Sequence, residues 1–357
     1  MFDVIIVGAG PAGANLARLF PSHLKTLIVD KRSLDHVQSH NPRTKCCGGL
    51  LAPDAQKMLA KLNLGIPKDI LVNPQLFAVK TYDLSAHLSR SYQRYYYNID
   101  REKFDRWLVS LIPTHVTQWH NTLFVDYSQT QDGYEITLVR NGQQQTVKTR
   151  FLVGADGAFS KVRRTLNSET NAPQTYISKQ EWYSSTQPPS HFTAIFDASI
   201  TDFYGWMIPK DHYFMVGAAF PVGEDAHKKF DMLKAKLTAL GYDLTPKHLI
   251  KTEGAHINRP IRHKHLQCGK NGIFLVGEAA GAISPSSAEG ISYALKSSYW
   301  LSQCFTSPSL LSFDIQKVYR IKMRKIAFNL RMKRLKSPAM YHPLLRKWIM
   351  KSGINSL

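Results

Sequence analysis

The sequence is short of cysteine and of acidic residues, and it has no long apolar run. Four cysteines in 357 residues are too few for a disulfide scaffold. No stretch approaches the roughly 18 consecutive apolar residues of a membrane-spanning helix, and residues 1–7 lack the basic segment of a signal peptide. Histidines and cysteines form no cluster at ligand spacing, so no metal site is predicted. We therefore expect a reduced, cytoplasmic protein, and 43% hydrophobic residues exclude intrinsic disorder.

The shortage of acid leaves a large positive charge. Forty-six Lys and Arg residues against 26 Asp and Glu give a net charge of +20 at pH 7. Twelve of the basic residues, and no acid, lie in residues 315–357, so the first 314 residues carry only +8. Such a balance favours an anionic partner, which is a nucleic acid, a membrane surface or a phosphorylated ligand.

The basic C-terminal segment, residues 306–357, has helical periodicity. Its apolar residues recur every three or four positions: Ile315, Tyr319, Met323, Ile326 and Leu330. Pro338 is predicted to end this helix, and a second helix is predicted at 344–350. Two interpretations stay open: a helix docked on the body with its basic face in solvent, or binding of residues 315–351 to an anionic membrane surface. The second would place the protein peripherally on the inner face of the cytoplasmic membrane. No nucleic-acid partner is expected, because no nucleic-acid motif accompanies the charge.

The first thirty residues carry a dinucleotide-binding pattern. An apolar strand at 3–7 leads into G-x-G-x-x-G, a helical segment follows, and a second strand ends in an acid. Gly10 lets the backbone approach a pyrophosphate, and Gly13 lets the helix pack on the strand. The helix N-terminus offers N–H groups to phosphates, and Asp30 can accept from ribose hydroxyls. The pattern leaves NAD and FAD open. It assigns six cofactor-binding residues: Gly8, Gly10, Ala12, Gly13, Asp30 and Lys31.

Two later motifs place small residues and a carboxylate at the end of a buried strand. A strand at 151–153 ends in Gly-Ala-Asp-Gly, and a strand at 273–276 ends in Gly-Glu-Ala-Ala-Gly. Open α/β sheets bind their ligands at such strand ends. These segments and the helix start that follows them supply further candidates: Gly154, Asp156, Gly157, Gly277, Glu278, Gly281, Gly290 and Ile291.

Together the three motifs resemble those of the FAD-dependent oxidoreductases of the aromatic-hydroxylase and geranylgeranyl-reductase superfamily. The resemblance implies FAD, with Glu278 on the ribityl chain where the family usually has Asp. It also implies a contact of FAD with Arg101, in an R-x-x-F-D stretch, and a helix after Gly290 whose N-terminus points at the flavin pyrimidine.

The fold class implied by the resemblance is α/β. A Rossmann-like FAD-binding domain of the glutathione-reductase and aromatic-hydroxylase type is interleaved with an antiparallel β-sheet substrate domain, and a basic helical C-terminus follows. The expected FAD-binding parts are residues 1–75, 100–170 and 266–305. The expected substrate domain is residues 76–99 and 171–265.

Two segments favour the reductase branch. Residues 45–50, Lys-Cys-Cys-Gly-Gly-Leu, resemble a Pro-x-Cys-Gly-Gly segment that lies near the flavin, which implies cofactor contacts of Cys47 and Gly48. Residues 204–210 resemble a substrate-domain motif of that branch, so Tyr204 and Trp206 are candidate substrate-lining residues. Hydroxylases of the superfamily usually have histidine where this chain has Gly281.

Three roles are open for Cys47. It allows close packing beside the flavin, it donates the proton that a C=C reduction needs, or it forms a strained redox disulfide with Cys46.

The expected function is FAD-dependent reduction of C=C bonds in an isoprenoid lipid or another apolar small molecule, with hydride leaving the flavin. Because a second G-x-G-x-x-G is missing, NAD(P)H binds transiently or a separate reductase reduces FAD. One alternative is a flavin monooxygenase or halogenase of the same superfamily. Another is a non-catalytic FAD-containing lipid- or membrane-binding protein, since motifs that bind FAD do not by themselves indicate that a reaction is catalysed.

Overall fold

The computed structural model describes residues 1–34, 46–166, 173–306 and 312–352. The chain divides into two compact units. The first unit comprises Met1–Thr44, Glu102–Pro173 and Asn258–Arg331, and the second comprises Lys45–Arg101, Gln174–Ile257 and Met332–Leu357.

Strands and helices follow one another in chain order. The strands are β1 (Phe2–Val7), β2 (Thr26–Val29), β3 (Leu50–Leu51), β4 (Leu76–Asp83), β5 (Leu88–Asn98), β6 (Thr117–Trp119), β7 (Thr122–Thr130), β8 (Gly133–Arg140), β9 (Gln143–Gly154), β10 (Gln174–Ser184), β11 (Phe192–Phe196), β12 (Gly205–Lys210), β13 (Tyr213–Pro221), β14 (Leu249–Arg259), β15 (Gly269–Lys270) and β16 (Ile273–Leu275). The helices are α1 (Pro11–Leu19), α2 (Pro53–Lys61), α3 (Arg101–Ser110), α4 (Lys161–Leu166), α5 (Ala226–Ala239), α6 (Ile291–Ser302), α7 (Ser312–Tyr341) and α8 (Pro343–Lys351).

The first unit is built on a largely parallel sheet with the strand order β15-β16-β9-β1-β2-β6. β1 pairs in parallel with β2 on one side and with β9 on the other, so that Val4 faces Thr26 and Phe151. β1 and β2 are almost wholly buried, which is typical of strands covered on both faces. β7 and β8 extend the sheet from β9 in antiparallel order. Asn141 and Gly142 have positive φ between β8 and β9, as a two-residue hairpin turn requires.

The apolar stripe of α7 is buried in the first unit. Its five members are at most 4% exposed: Ile315, Tyr319, Met323, Ile326 and Leu330. The Tyr319 hydroxyl also donates to the Leu275 carbonyl over 2.8 Å. The basic residues Lys317, Arg320 and Arg324 lie exposed on the other side of the helix. This stripe is therefore part of the core, as the docked-helix interpretation expects.

The prediction that Pro338 ends this helix is wrong, because α7 continues to Tyr341. A proline inside a helix removes one backbone hydrogen bond and crowds the carbonyl four residues before it. Only one turn follows here, and packing holds that turn: the Tyr341 ring stacks on Phe203 with centroids 5.5 Å apart. The second helix begins at Pro343, where a fixed φ and a missing N–H cost nothing.

The second unit contains a sheet with the order β14-β10-β13-β12-β11-β4-β5-β3. From β10 to β3 the pairs are antiparallel except β11 with β4, which is parallel, so the expected antiparallel sheet is mixed. One face packs on α5 in a core that includes Met207, Val216, Phe220 and Phe230.

The predicted fold class holds, with the mixed α/β fold, the second sheet and the helical C-terminal region all present. The division of the chain differs from the predicted one. Residues 46–75 lie in the second unit, because β3 pairs with β5 through Leu50 and Asn98. Along the described part of the chain, no helix is long and apolar enough to cross a membrane.

Candidate cofactor site and a thiol–aromatic cluster

Two of the three N-terminal glycines are required by packing. Gly8 has a φ of +104°, and a methyl group there would lie 2.6 Å from the Ala155 carbonyl oxygen. A methyl group on Gly13 would lie 1.8 Å from the Gly8 oxygen. The loop therefore closes tightly on itself and on the Gly-Ala-Asp-Gly segment.

Gly10 differs, because a methyl group there would meet no atom of the described residues within 4 Å. Gly10 is the N-cap of α1, Pro11 follows it, and it offers no side-chain cap to the helix. The first-turn N–H groups of Ala12 and Gly13 thus lie at the positive end of the helix dipole beside open space. Such a cradle fits the pyrophosphate of a dinucleotide. We call the loop from Gly8 to Gly13 the phosphate cradle.

Asp30 stands at the end of β2 with all its acceptor positions engaged. Its Oδ2 accepts from Ala9 N (2.7 Å) and Arg32 Nη2 (3.1 Å), and its Oδ1 accepts from Arg32 N (2.8 Å) and Nε (3.1 Å). Burial alone would raise the pKa of Asp30, but the charge and hydrogen bonds of Arg32 hold it below the ordinary value. Asp30 is therefore an ionised hydrogen-bond acceptor. With a dinucleotide bound, the ribose hydroxyls would donate to it in place of the Arg32 guanidinium group.

The sequence argument missed Arg32. Its Nη1 also donates to Asp105 Oδ2 over 3.0 Å, which links β2 to α3. The sequence feature that could have indicated Arg32 is the R-x-x-F-D stretch, because its last residue, Asp105, is a buried acid that needs a basic partner. The neighbouring Lys31, a predicted contact, is exposed. Arg101, the first residue of that stretch, belongs to the second unit.

The three motifs meet within the first unit. A methyl group on Gly277, whose φ is +58°, would lie 2.9 Å from Ala12 Cβ. The Asn258 N–H donates to Glu278 Oε1 over 3.0 Å, and its Nδ2 donates to the Ala158 carbonyl over 3.0 Å. Glu278 is thereby fixed beside the Gly-Ala-Asp-Gly segment and the phosphate cradle. A half-buried carboxylate so placed suits hydroxyl donors such as those of a ribityl chain.

Asp156 has a local structural task. Its Oδ2 accepts from the N–H groups of Lys161 (2.7 Å) and Val162 (3.3 Å), and its Oδ1 accepts from Ser160 Oγ (2.5 Å). Burial raises the pKa of Asp156, although these hydrogen bonds oppose the rise. The carboxyl group caps α4. Its neighbour Gly157 has a φ of +77° and open space around it.

Gly154 and Gly281 are fixed by their surroundings. A methyl group on Gly154 would lie 2.8 Å from Leu275 Cδ2, and one on Gly281 would lie 2.2 Å from the His265 carbonyl oxygen. Gly281 also has a left-handed φ of +77°. Arg163 donates to that same His265 oxygen over 2.8 Å, and burial lowers its pKa to about 10. Position 281 accepts glycine and has no room for a histidine.

The N-terminus of α6 is already partly engaged. Gly290 is its N-cap and Ile291 its half-buried first residue. Glu289 Oε1 accepts from the Ser292 N–H over 2.9 Å. The carboxylate of Glu289 therefore offsets part of the positive helix end that the resemblance directs at the flavin.

The three predicted catalytic residues belong to the second unit, and the rings of two of them lie close together. Tyr204 and Trp206 have ring centroids 5.8 Å apart. Burial raises the pKa of Tyr204, and the nearby Cys47 adds to the rise together with Tyr92 and Tyr96. We call Cys47, Tyr204 and Trp206 the thiol–aromatic cluster.

Glycine makes room for this cluster. A methyl group on Gly217 would lie 2.4 Å from Trp206 Cε2, so the indole rests directly on the backbone of β13. A methyl group on Gly48 would lie 2.6 Å from Ile208 Cδ1. The buried Trp206 Nε1 finds no hydrogen-bond partner among the described residues. It is a donor available to a ligand.

Lys210 is a buried residue that the sequence argument left out of the site. Its Nζ donates to the carbonyls of Ile99 (2.8 Å) and Gly49 (3.2 Å). Burial lowers the pKa of Lys210 to about 7, and the electrostatic effect of neighbouring groups, including Asp100 and Asp211, opposes that fall. Lys210 therefore holds the backbone that follows Cys47.

All four cysteines are free thiols. The Gly49 N–H lies 3.5 Å from Cys47 Sγ, and the buried Cys46 Sγ lies 3.6 Å from Ser178 Oγ. The two neighbouring thiols thus have separate partners and are not joined in a disulfide.

Comparison with known proteins agrees with this geometry. Residues 1–307 match the family model described as FAD binding domain. The chain belongs to this family, whose FAD-dependent enzymes include oxidoreductases and monooxygenases. FAD is the cofactor that the family match supports, and the phosphate cradle, Asp30 and Glu278 are residues suited to hold it.

Among curated relatives, Protein CbrA of Escherichia coli O6:H1 is 41% identical over 354 residues, which cover 99% of this chain and 94% of that protein. Two solved structures share the fold. A geranylgeranyl bacteriochlorophyll reductase-like protein from Thermoplasma acidophilum matches with a TM-score of 0.74 and 18% identity over 98% of each chain. CmlS, a flavin-dependent halogenase, matches with a TM-score of 0.68 and 17% identity over 93% of this chain and 63% of that one.

Proposed function

We propose that the protein is a FAD-dependent reductase that hydrogenates a C=C bond of an isoprenoid or other apolar lipid. The observation that carries the proposal is the thiol–aromatic cluster: the rings of Tyr204 and Trp206 lie 5.8 Å apart, and Cys47 is near enough to raise the pKa of the Tyr204 phenol. Bound FAD supplies the hydride for such a reaction. NAD(P)H or a separate reductase supplies the electrons.

The chain's own residues have two tasks in this reaction. Tyr204, Trp206 and the aromatic side chains near them, such as Tyr96 and Phe192 with ring centroids 5.6 Å apart, orient an apolar chain. Cys47 donates the proton that the second alkene carbon needs, and Lys210 keeps the following backbone in place. The high pKa of Tyr204 keeps the phenol protonated as a second donor.

Gly281 supports a reductase over a hydroxylase. Hydroxylases of the superfamily usually carry histidine at that position. Here the His265 carbonyl and a left-handed φ leave no room for one.

The test is anaerobic turnover. FAD-loaded protein, reduced chemically in the absence of oxygen, is mixed with geranylgeranyl-bearing lipids, and mass spectrometry follows the gain of two hydrogen atoms. We expect reduction without oxygen. In Cys47→Ser the rate falls by about 10²-fold or more, because a hydroxyl is a much weaker acid, while FAD content is unchanged.

The second candidate is a flavin monooxygenase or halogenase. Residues 205–209, Gly-Trp-Met-Ile-Pro, partly match a halogenase motif, and CmlS shares the fold. A product that forms only when oxygen is admitted would replace the reductase proposal with this one. Protein that retains FAD yet turns over neither lipids nor oxygen would instead be a lipid-binding flavoprotein.

A further inference from the structure

Helix α8 buries a charged side chain and exposes large apolar ones, the reverse of the usual distribution on a surface helix. The residues that face the second unit are Arg346, which is 2% exposed, and Met350. The residues that face solvent are apolar: Leu344 is 71% exposed and Trp348 66% exposed, with Leu345 beside them. An ordinary surface helix buries its apolar side and exposes its charge. We call Leu344, Leu345 and Trp348, with the exposed Lys347 and Lys351, the α8 outer face.

A buried ion pair fixes this orientation. Arg346 Nε lies 2.7 Å from Asp83 Oδ2, and both side chains are almost fully buried. Arg346 also donates to the Met340 carbonyl over 2.8 Å and lies over the Phe196 ring. Arg90 adds a second contact on the same inward side of the helix, since it donates to the Ile349 carbonyl over 3.2 Å. Rotation of α8 to bury its apolar side would leave Asp83 as an unpaired buried charge, which is costly.

The outer face itself carries positive charge. Lys347 and Lys351 lie on α8, and Leu335 and Lys336 near the end of α7 are exposed as well. No acid occurs between residues 315 and 357. A tryptophan and leucines among lysines are the composition of helices that lie in a membrane interface, where the indole sits at headgroup level.

We propose that the α8 outer face docks the protein on an anionic phospholipid surface. Charge decides between this occupant and a second copy of the chain, because two copies would bring like-charged lysines together, whereas anionic headgroups neutralise them. The proposal does not depend on the reaction proposed above. It narrows the expectation for residues 315–351 to the α8 outer face, since the apolar stripe from Ile315 to Leu330 is buried in the first unit.

The test is co-sedimentation of full-length, FAD-loaded protein with vesicles. Vesicles of phosphatidylglycerol and phosphatidylcholine in equal parts are compared with pure phosphatidylcholine. We expect binding to the anionic vesicles alone. The double variant Leu344→Ser/Trp348→Ser, and separately Lys347→Glu/Lys351→Glu, should each need about tenfold more lipid for half binding, or more, since each lysine contributes about 1 kcal/mol near such a surface.

Matched controls change equally exposed residues elsewhere in the second unit. Val222→Ser/Ile250→Ser removes two apolar side chains of similar exposure, and Lys228→Glu/Lys247→Glu reverses two exposed charges. Both controls should bind vesicles like the parent protein. FAD content and thermal midpoint, measured for every variant, separate lost docking from lost folding.

Insertion has its own readout. Brominated phosphatidylglycerol should quench part of the tryptophan fluorescence of the parent protein, and Trp348→Phe should lose that part. The proposal is overturned if the parent protein does not co-sediment with anionic vesicles, or if the control variants weaken vesicle binding as much as the α8 variants do. A concentration-dependent dimer that Leu344→Ser/Trp348→Ser abolishes, without vesicle binding, would assign the face to a second copy.

Discussion

Gly10 shows how a single residue separates folding from cofactor binding. Its missing side chain leaves a gap at the N-terminus of α1 that none of the described residues fills, whereas Gly8 and Gly13 are in direct backbone contact. Gly10→Ala should therefore fold normally and bind FAD about tenfold to a hundredfold more weakly, because a methyl group displaces a phosphate from charge-assisted N–H groups.

The measurement is the flavin absorbance of purified protein and a titration of apoprotein with FAD. Gly65→Ala is the control, since a methyl group there also meets nothing within 4 Å but lies in the second unit. Undiminished FAD affinity in Gly10→Ala would remove the phosphate cradle from the site.

Lys210 gives a pH dependence. Its pKa is about 7 in the folded protein and near 10.5 in the unfolded chain. The unfolded state therefore binds more protons between these values, so the contribution of Lys210 to stability rises with pH from about 7 to 10 and is flat below 7.

Lys210→Met should abolish this part of the pH dependence. We expect the free energy of unfolding of the parent protein to gain about 2–3 kcal/mol more than that of the variant between pH 7 and 9.5. Denaturant melts at both pH values measure the difference. Parallel pH profiles would show that Lys210 is charged in the fold.

At the residue scale, the sequence located the three strand-end motifs but not all of their partners. Gly8, Gly13 and Glu278 lie where local spacing put them, because each belongs to a short strand–turn–helix unit. Arg32 and Lys210 were not predicted as site residues, because their hydrogen-bond partners are distant in the chain. Arg32 donates to Asp105, and Lys210 donates to the carbonyls of Gly49 and Ile99. A buried lysine looks like any surface lysine until the fold is known.

At the scale of the element, two substitutions in α7 distinguish its buried side from its exposed side. Ile326 is 1% exposed and Ile321 on the same helix is 50% exposed. Ile326→Ala should lower the free energy of unfolding by about 2–5 kcal/mol, because it leaves a cavity, and Ile321→Ala should change it by less than about 1 kcal/mol. Chemical denaturation of both variants measures this, and equal losses would mean that both sides are packed.

Helix ends were less predictable than helix faces. The periodicity of α7 identified its buried stripe, because that pattern is local. Pro338 was expected to stop the helix, yet the stacking of Tyr341 on Phe203 carries it one turn further. The amphipathic character of α8 was hidden for a similar reason: only the buried Asp83 reveals that Arg346, and not Leu344, faces inward.

At the scale of the whole molecule, FAD should stabilise the first unit. A ligand that binds only the folded state adds about 2.7 kcal/mol at a hundredfold excess over its Kd. Removal of FAD should lower the thermal midpoint and speed hydrogen exchange in the phosphate cradle and in residues 155–157 and 277–281. Gly10→Ala, which binds FAD weakly, should show little shift when FAD is added at concentrations that saturate the parent protein. An equal shift in Gly10→Ala would indicate binding elsewhere.

The order of strands in the first sheet has a consequence for synthesis. β1 is made first, but its neighbour β9 ends at Gly154, and β16 beyond β9 ends only at Leu275. A ribosome must therefore translate most of the message before this sheet can close, which is the long-range pairing that slows folding and exposes unpaired strands. Glu278 emerges later still. The nascent chain thus carries an empty glycine loop through most of translation, and flavin supply and chaperone capacity at that moment will set the yield of active protein.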